Sequence, residues 1–288
     1  MTRIRIGTRG SRLAMIQAEM AARAISAWDP SIETELVPIK TTGDRILDRT
    51  LEEIGGKGLF VRELDAALLE GRVDFTVHSA KDLPLELDPR LPVAAASRRE
   101  DPRDALVLPA SGAIPDKPLG SASARRRIQL ARLFPGRQTA PIRGNVLTRL
   151  EKLDGGAYSG LVLAAAGLKR LGLEGRISRY FQPEELLPAA CQGILAIQAR
   201  TGTDTECLKL FHDPEAWTCM QAERAFIGAL NGGCTQPCGA YAKPHGAGLL
   251  LRGMYGVGES ARFGEALLGE EPEAEARALA ERMKADEG

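Results

Sequence analysis

The chain has 288 residues, 44% of them hydrophobic and 26% charged, which is enough for two or three domains with substantial cores. Its formal net charge is zero, which excludes an overall positive field that would attract nucleic acid. No apolar run is long enough to span a bilayer, and the first residues lack the apolar region of a signal peptide. We therefore expect a cytoplasmic protein without a membrane partner. From the neutral net charge we expect no nucleic-acid partner.

The first hundred residues alternate between strand-like and helix-like segments. Ser11 is a good N-cap for an amphipathic helix that runs to about Trp28. The polar, glycine-rich stretch 40–57 is typical of a long mobile loop. The other predicted elements are strands at 3–7, 33–39 and 74–78 and a helix at 60–70. Strands alternating with helices predict a βαβ sheet that is parallel at least in part.

A charge-dense segment, residues 97–104, contains a proline and indicates a crossover into a second lobe. The elements predicted there are strands at 103–108, 138–142 and 160–164 and helices at 123–134, 145–153 and 165–171. The run 193–198 is a strand that can return to the first sheet. Two α/β lobes joined by crossing segments predict a cleft that binds a ligand at the carboxyl ends of strands.

The last part of the chain predicts a small α+β domain. It contains a long helix from about Pro214 to Leu230, strand-like runs at 239–243 and 248–255, and a helix at about 272–285. We therefore expect three domains: residues 1–96 with 194–212, residues 97–193, and residues 213–288.

Overall neutrality hides a local excess of arginine, because ten arginines and four acidic residues lie between Ser97 and Arg149. Several of them stand at predicted loop-to-helix junctions, where unpaired backbone N–H groups and bidentate guanidinium groups favour anions. These junction residues are Arg125, Arg126, Arg143 and Arg149, and Arg9 with Ser11 repeats the arrangement near the N-terminus. The pattern predicts a ligand with several carboxylates or phosphates. We interpret Arg127, Arg132 and Arg137 as surface residues.

A thiol on a glycine-rich turn is the other candidate site. Cys234 follows Gly232 and Gly233, and such a turn leaves room for a covalently attached group. Cys238 is a rival thiol, whereas we interpret Cys191, Cys207 and Cys219 as packing residues. The odd number of cysteines argues against a disulfide framework, and the scattered histidines predict no metal site.

Seven ordered motifs resemble the porphobilinogen deaminase (hydroxymethylbilane synthase) family over nearly the whole chain. They are Thr8-Arg9-Gly10-Ser11, Gly55-Gly56-Lys57-Gly58-Leu59-Phe60, His78-Ser79-Ala80-Lys81-Asp82-Leu83-Pro84, Arg99-Glu100-Asp101-Pro102-Arg103-Asp104, Arg143-Gly144-Asn145, Leu163-Ala164-Ala165-Ala166-Gly167-Leu168-Lys169-Arg170 and Gly232-Gly233-Cys234. The resemblance implies an α/β fold of two periplasmic-binding-protein-like lobes around a cleft, with a small α+β C-terminal domain. It also implies a monomer.

The resemblance implies a transferase of haem and porphyrin biosynthesis. Members join four porphobilinogen molecules head to tail into 1-hydroxymethylbilane, on a dipyrromethane cofactor held through a thioether that matches Cys234. Asp82 matches the family's catalytic aspartate. A carboxylate there stabilises the azafulvenium cation that forms when ammonia leaves, and it assists proton transfer.

The same resemblance assigns the remaining site residues by their match to family motifs. Besides Cys234, the residues expected to bind the cofactor are Lys81, Asp82, Ser123, Arg125, Arg126, Gly144, Arg149 and Arg170. Those expected to bind substrate are Arg9, Ser11, Lys57, Phe60, Arg143, Arg149 and Gln192.

Two other classes of function stay open on the sequence. A two-lobed binding protein for an anionic ligand has the same architecture and needs no covalent adduct at Cys234. A cysteine-nucleophile hydrolase or acyltransferase needs a base near Cys234, and His245 is the nearest candidate along the chain.

Overall fold

The computed structural model describes residues 3–45, 61–112, 116–230, 237–258 and 260–285. The helices in these ranges are α1 (Arg12–Trp28), α2 (Thr42–Arg45), α3 (Arg62–Leu69), α4 (Ala124–Leu133), α5 (Val146–Asp154), α6 (Ala165–Arg170), α7 (Pro214–Ala229) and α8 (Pro272–Ala285). The strands are β1 (Arg3–Arg9), β2 (Glu33–Ile39), β3 (Phe75–Ser79), β4 (Val93–Ala96), β5 (Asp104–Val107), β6 (Leu119–Gly120), β7 (Thr139–Ala140), β8 (Gly160–Ala164), β9 (Arg179–Phe181), β10 (Leu195–Ala199), β11 (Cys238–His245), β12 (Gly248–Val257) and β13 (Ser260–Leu268). Short 3₁₀ turns lie at Ala80–Asp82, Glu174–Arg176 and Glu206–Leu208. Within the described ranges, no helix combines the length and apolar character that a membrane span needs.

The described residues form two compact units. The first unit contains the described residues up to 100 together with 194–217, and the second contains those of 101–193 and those from 218 onward. The chain therefore passes between the units near residues 100, 193 and 217. The three predicted domains, with boundaries at 96/97, 193/194 and 212/213, stay predictions.

The first unit is built on a five-stranded sheet in the order β2-β1-β3-β10-β4. β1 pairs in parallel with β2 and β3, whereas β10 is antiparallel to both β3 and β4. Helix α1 begins where the Ser11 side chain accepts a hydrogen bond from the Ala14 backbone N–H at 3.3 Å. Its apolar residues Ala21 and Ile25 are buried in one core with Phe75 of the sheet.

The second unit contains a five-stranded sheet in the order β7-β6-β8-β5-β9. β6 is parallel to β7 and β8, and β5 is antiparallel to β8 and β9. Each parallel connection carries a helix, as parallel strands require. Buried residues of β5, β8, α5 and α6, among them Val107, Leu153, Leu163 and Leu168, form one core of this unit.

The C-terminal part of the second unit is a three-stranded antiparallel sheet, β11-β12-β13, with α8 packed on β12 and β13 and with Phe226 of α7 packed on β12. Two glycines permit close packing of the helices on the strands. A Cβ atom at Gly253 would collide with the Phe226 ring of α7, and one at Gly264 would collide with the Met283 side chain of α8. The absence of side chains at these two positions therefore lets α7 and α8 lie close against the strands.

The predicted α/β class, with two sheet-containing lobes and a small α+β C-terminal part, is confirmed. Helices α1 and α8 and strands β2 and β8 have the predicted bounds, and β10 returns to the first sheet. Most other predicted elements differ by one or two residues at their ends.

The predicted loop 40–57 was wrong at Thr42–Arg45, which form one helical turn, and residues 46–57 lie outside the described ranges. The backbone N–H and hydroxyl of Thr42 both donate to Glu63 Oε1, so a contact 21 residues away supports that turn. The sequence analysis also missed β4, β6, β9 and β13. β6 and β9 are only two and three residues long, and β13 mixes charged residues with glycine, so their hydrophobic patterns are weak.

Candidate active site

Sheet topology brings the predicted cationic residues of the second unit to one edge. The parallel strands β6, β7 and β8 all end there, and each is followed by a helix. Asp104 begins the antiparallel strand β5 opposite Ala164, the last residue of β8, so it lies at the same edge. We call this the second edge, and it is where loop-to-helix junctions gather in an α/β unit.

At the second edge, helix α4 begins with a buried ion-pair network. Ser123 is its N-cap and accepts a hydrogen bond from the Arg126 backbone N–H at 3.4 Å. Asp104 accepts from Arg125 Nη2 at 2.8 Å and from Arg126 Nη2 at 2.6 Å. The side chains of Arg125 and Arg126 are only 4% and 8% exposed and that of Asp104 is not exposed at all, so this is an interior network.

Backbone carbonyls complete the arrangement of the two guanidinium groups. Arg125 Nη1 donates to the carbonyl of Leu187, and Arg126 Nη1 donates to that of Val162 at 2.8 Å. Arg126 Nε is buried and has no hydrogen-bond partner among the described residues. The structure thus gives both arginines internal partners, and their role in binding the cofactor stays a prediction.

Electrostatics keeps Asp104 ionised. Burial by itself raises the pKa of this carboxyl, but the positive charges of Arg125 and Arg126 and the hydrogen bonds to it outweigh burial and hold its pKa far below the usual range. For Arg125, burial lowers the pKa and Asp104 opposes that shift. Two cations and one anion leave the network with an excess positive charge.

Sequence reasoning treated Asp104 only as one acidic residue in a basic segment. The available signal was its position, because a charged residue directly precedes the apolar run 105–108. A carboxylate at the start of a buried strand needs a cationic partner. Which cation supplies it depends on contacts 21 and 22 residues away along the chain.

The junction before α5 holds a second pair of predicted residues. Gly144 has φ 112°, and a Cβ atom there would lie 2.9 Å from the Thr148 side chain, so glycine is required. Asn145 caps α5 by accepting from the Thr148 backbone N–H at 3.1 Å. Arg149 Nε donates to the Gly144 carbonyl at 2.8 Å, which orients its guanidinium group toward this junction, and the neighbouring Arg143 is half-buried.

Two further predicted site residues, Arg170 and Gln192, form hydrogen bonds near the second edge. Arg170, at the end of α6, donates from Nη2 to the Gly193 carbonyl at 2.6 Å. Gln192 is fully buried, and its Nε2 donates to Asp104 Oδ1 at 2.9 Å and to the Pro102 carbonyl at 2.7 Å. Gln192 therefore belongs to the Asp104 network, and its contact with substrate stays a prediction.

The first unit has a comparable edge, formed by the carboxyl ends of β1, β2 and β3, which we call the first edge. Arg9 ends β1, Ser11 caps α1, and Lys81 and Asp82 lie on the 3₁₀ turn directly after β3. Asp82 is exposed, and within the described part of the chain its carboxylate makes no hydrogen bond or ion pair. This carboxylate is available to a ligand.

His78 lies beneath the first edge and is a buried residue of β3. Burial, and secondarily the positive charge of Arg9, lowers its pKa to about 4. Its Nε2 lies 2.9 Å from the Thr76 hydroxyl oxygen.

Three predicted site residues, Lys57, Phe60 and Cys234, lie outside the described ranges.

The rival thiol Cys238 begins β11, and burial raises its pKa to about 11, which opposes formation of a thiolate. Cys191, Cys207 and Cys219 are buried, so their interpretation as packing residues is confirmed. His245 is an exposed residue at the β11–β12 turn.

Two family models match successive parts of the chain. Residues 4–209 match "Porphobilinogen deaminase, dipyromethane cofactor binding domain", and residues 217–285 match "Porphobilinogen deaminase, C-terminal domain". Among solved structures, the methionine binding protein MetQ aligns with 80% of this chain and 94% of its own, at 14% identity and a TM-score of 0.44.

Curated relatives carry the same family name. The porphobilinogen deaminase of Ruminiclostridium cellulolyticum is 60% identical over 257 residues, which cover 88% of this chain and 87% of the relative. That of Roseiflexus castenholzii is 48% identical, over 88% of this chain and 85% of the relative. With both models matched in order and such identity over most of its length, the chain belongs to the porphobilinogen deaminase family.

Proposed function

We propose that the protein deaminates porphobilinogen and joins four such units head to tail into 1-hydroxymethylbilane, a step in tetrapyrrole biosynthesis. The observation that carries this proposal is Asp82, whose exposed carboxylate follows β3 and makes no pairing within the described residues. A carboxylate left open to a ligand suits a reaction in which positive charge develops on a pyrrole ring.

Asp82 has two roles in this proposal. Its negative charge stabilises the substrate pyrrole as ammonia leaves, and its oxygens accept and return protons at the leaving amine and at the newly joined ring. Two unit charges about 4 Å apart interact by roughly 4 kcal/mol at an effective dielectric constant of 20. Losing most of that interaction slows a reaction by about a thousandfold.

The residues of the second edge fit the family's dipyrromethane cofactor. Each of its pyrrole rings carries an acetate and a propionate, and the donors at this edge are guanidinium groups, a hydroxyl and backbone N–H groups, which suit carboxylates. Arg126 Nε is a buried donor without a partner among the described residues, so one donor remains for such a group. When bound, the cofactor supplies the pyrrole carbon to which the first substrate unit is joined.

We assign the holding of that cofactor to residues of both edges. In the second unit these are Ser123, Arg125, Arg126, Gly144, Arg149 and Arg170, and in the first unit Lys81 and Asp82. Arg9, Ser11, Lys57, Phe60, Arg143, Arg149 and Gln192 are assigned to the substrate. Cys234 is the proposed point of attachment, and the high pKa of Cys238 supports choosing Cys234 over it.

The proposal is tested by the intact mass of the denatured protein, measured beside a Cys234→Ser variant. We expect an extra mass of two linked pyrrole units that survives thiol reductant and is absent from the variant. An unmodified wild-type mass, in protein made with porphobilinogen available, overturns the attachment and favours a reversible binding protein. An adduct that persists in the variant points instead to Cys238.

We further propose that the protein works as a monomer in the cytoplasm. The reaction needs one copy of each assigned residue, and all of them lie on one chain. Sedimentation of the active protein at a mass near 30.9 kDa is the expected result, and a stable dimer contradicts it.

A further inference from the structure

A completely buried glutamate on α7 joins three parts of the second unit. Glu223 Oε2 accepts from the backbone N–H of Cys191 at 2.5 Å, and its Oε1 accepts from the backbone N–H of Ala242 at 2.7 Å. One carboxylate therefore ties helix α7 to the turn before β10 and to strand β11. Because a buried carboxylate without hydrogen bonds is very unfavourable, both contacts are held firmly.

The turn that Glu223 holds has an unusual backbone. Cys191 has φ 62°, and it is the only residue other than glycine with a positive φ in the described part of the chain. Its thiol also lies 3.8 Å from the Met220 carbonyl oxygen of α7. A residue with a side chain adopts this left-handed conformation only when its surroundings impose it. The contacts with α7 provide that restraint.

The conformation of Cys191 determines where the next two residues point. Gln192 donates to Asp104, which binds both arginines of α4, and the Gly193 carbonyl accepts from Arg170. A change in the backbone at 191 therefore displaces two contacts at the second edge. Both contacts involve groups that hold cationic side chains in place.

We propose that Glu223 is a positioning residue for the anion-binding arginines of the second edge, acting through Cys191 and Gln192. It imposes the left-handed turn, the turn directs Gln192 to Asp104, and Asp104 sets the guanidinium groups of α4. This inference rests on the proposed function in one respect: the proposed function is what assigns those arginines to pyrrole carboxylates.

The first test compares Glu223→Gln with the wild type. The amide of glutamine presents an NH₂ group to one of the two backbone N–H donors, so one hydrogen bond becomes a contact between donors. We expect kcat/KM for porphobilinogen to fall about tenfold, as the loss of one charge-assisted bond implies. Hydrogen exchange of the amides at 191–193 should become faster. Glu215→Gln, an exposed change on the same helix, should alter neither quantity.

The second test is rescue by Cys191→Gly. Glycine adopts the left-handed turn without restraint, so this change should restore most of the activity of Glu223→Gln although one hydrogen bond of residue 223 stays broken. Unchanged kcat/KM in folded Glu223→Gln overturns the proposal, and so does lost activity that glycine does not restore. If Glu223→Gln alone does not fold, the double variant decides: recovered folding supports the proposal, and continued failure to fold overturns it.

These readouts separate this inference from the proposed function. Turnover of porphobilinogen by the wild type tests the function itself. Amide exchange and the melting temperature of the Glu223 variants test the positioning, whatever the wild type turns over.

Discussion

Both sheet edges carry arginine and aspartate, but they differ in how far these charged side chains are buried and paired. At the second edge, Arg125 and Arg126 are buried against Asp104, so their charges already have internal partners. At the first edge, Asp82 stands exposed on a short turn with no pairing within the described residues. The comparison teaches that a motif residue can serve a ligand directly, or can serve the scaffold that presents ligand-binding groups. Substitutions should therefore separate activity from stability at one edge and couple them at the other.

The largest expected effect is at the exposed edge. Asp82→Ala should lower kcat by about a thousandfold, because it removes the charge that stabilises the developing cation. The melting temperature should stay near that of the wild type, because the exposed side chain makes no hydrogen bond or ion pair within the described residues. Glu19→Gln, which removes an exposed carboxylate from α1, is the control and should leave turnover intact. Near-normal turnover in Asp82→Ala excludes the assigned role.

At the buried edge, Asp104→Asn should destabilise the protein as well as slow it. The change leaves Arg125 and Arg126 side by side without their counter-charge, which typically costs about 3–5 kcal/mol of unfolding free energy. Urea denaturation at pH 7 measures the loss. Asp154→Asn, which disrupts the partly exposed pair with Arg176, should cost much less. Equal losses in the two variants contradict the distinction between the edges.

As pH falls, the stabilising contribution of neutral His78 in the first unit should be lost before that of ionised Asp104 in the second. The folded pKa of His78 is about 4, below its ordinary value of 6.5, so the unfolded chain binds the proton more tightly and stability falls as pH drops through this range. Between pH 7 and pH 5 the loss should be about 2 kcal/mol. Asp104 also has a depressed pKa, but its contribution is complete above the ordinary aspartate value and is lost only below it.

The measurement is urea denaturation at pH 7 and pH 5, for the wild type and for His78→Gln. The variant should lack this part of the pH dependence, because glutamine does not titrate. The same slope in both proteins assigns the acid sensitivity to other groups.

The smallest expected effect concerns Gly144 at the second edge. Gly144→Ala should cost about 1–2 kcal/mol, because its φ is 112° and the new methyl group would press on Thr148. Since Arg149 is oriented by the Gly144 carbonyl, the Michaelis constant for porphobilinogen should also rise a few-fold. Gly172→Ala is the matched control, because that glycine has φ 69° with open space around it. A rise in the Michaelis constant in both variants contradicts a local effect on Arg149.

Local chemistry made the helix starts predictable. Ser11, Ser123 and Asn145 cap their helices through hydrogen bonds to residues only three positions ahead, and such contacts depend on neighbouring residues alone. The apolar run of β8 made that strand predictable for the same reason. The short strands β6 and β9 depend on partners far along the chain, which no local pattern reveals.

The sequence by itself determined the class of fold, the helix cap at Ser11, the excess of arginine and the ordered motifs that place the chain in its family. Only the tertiary structure decided that Asp104 neutralises part of that arginine, that Gln192 is buried against it, and that Glu223 holds the turn at Cys191. These contacts join residues 21 to 88 positions apart, so they exist only after the strands have paired and water has left the interior. A buried charge must then take whichever partner the fold brings to it.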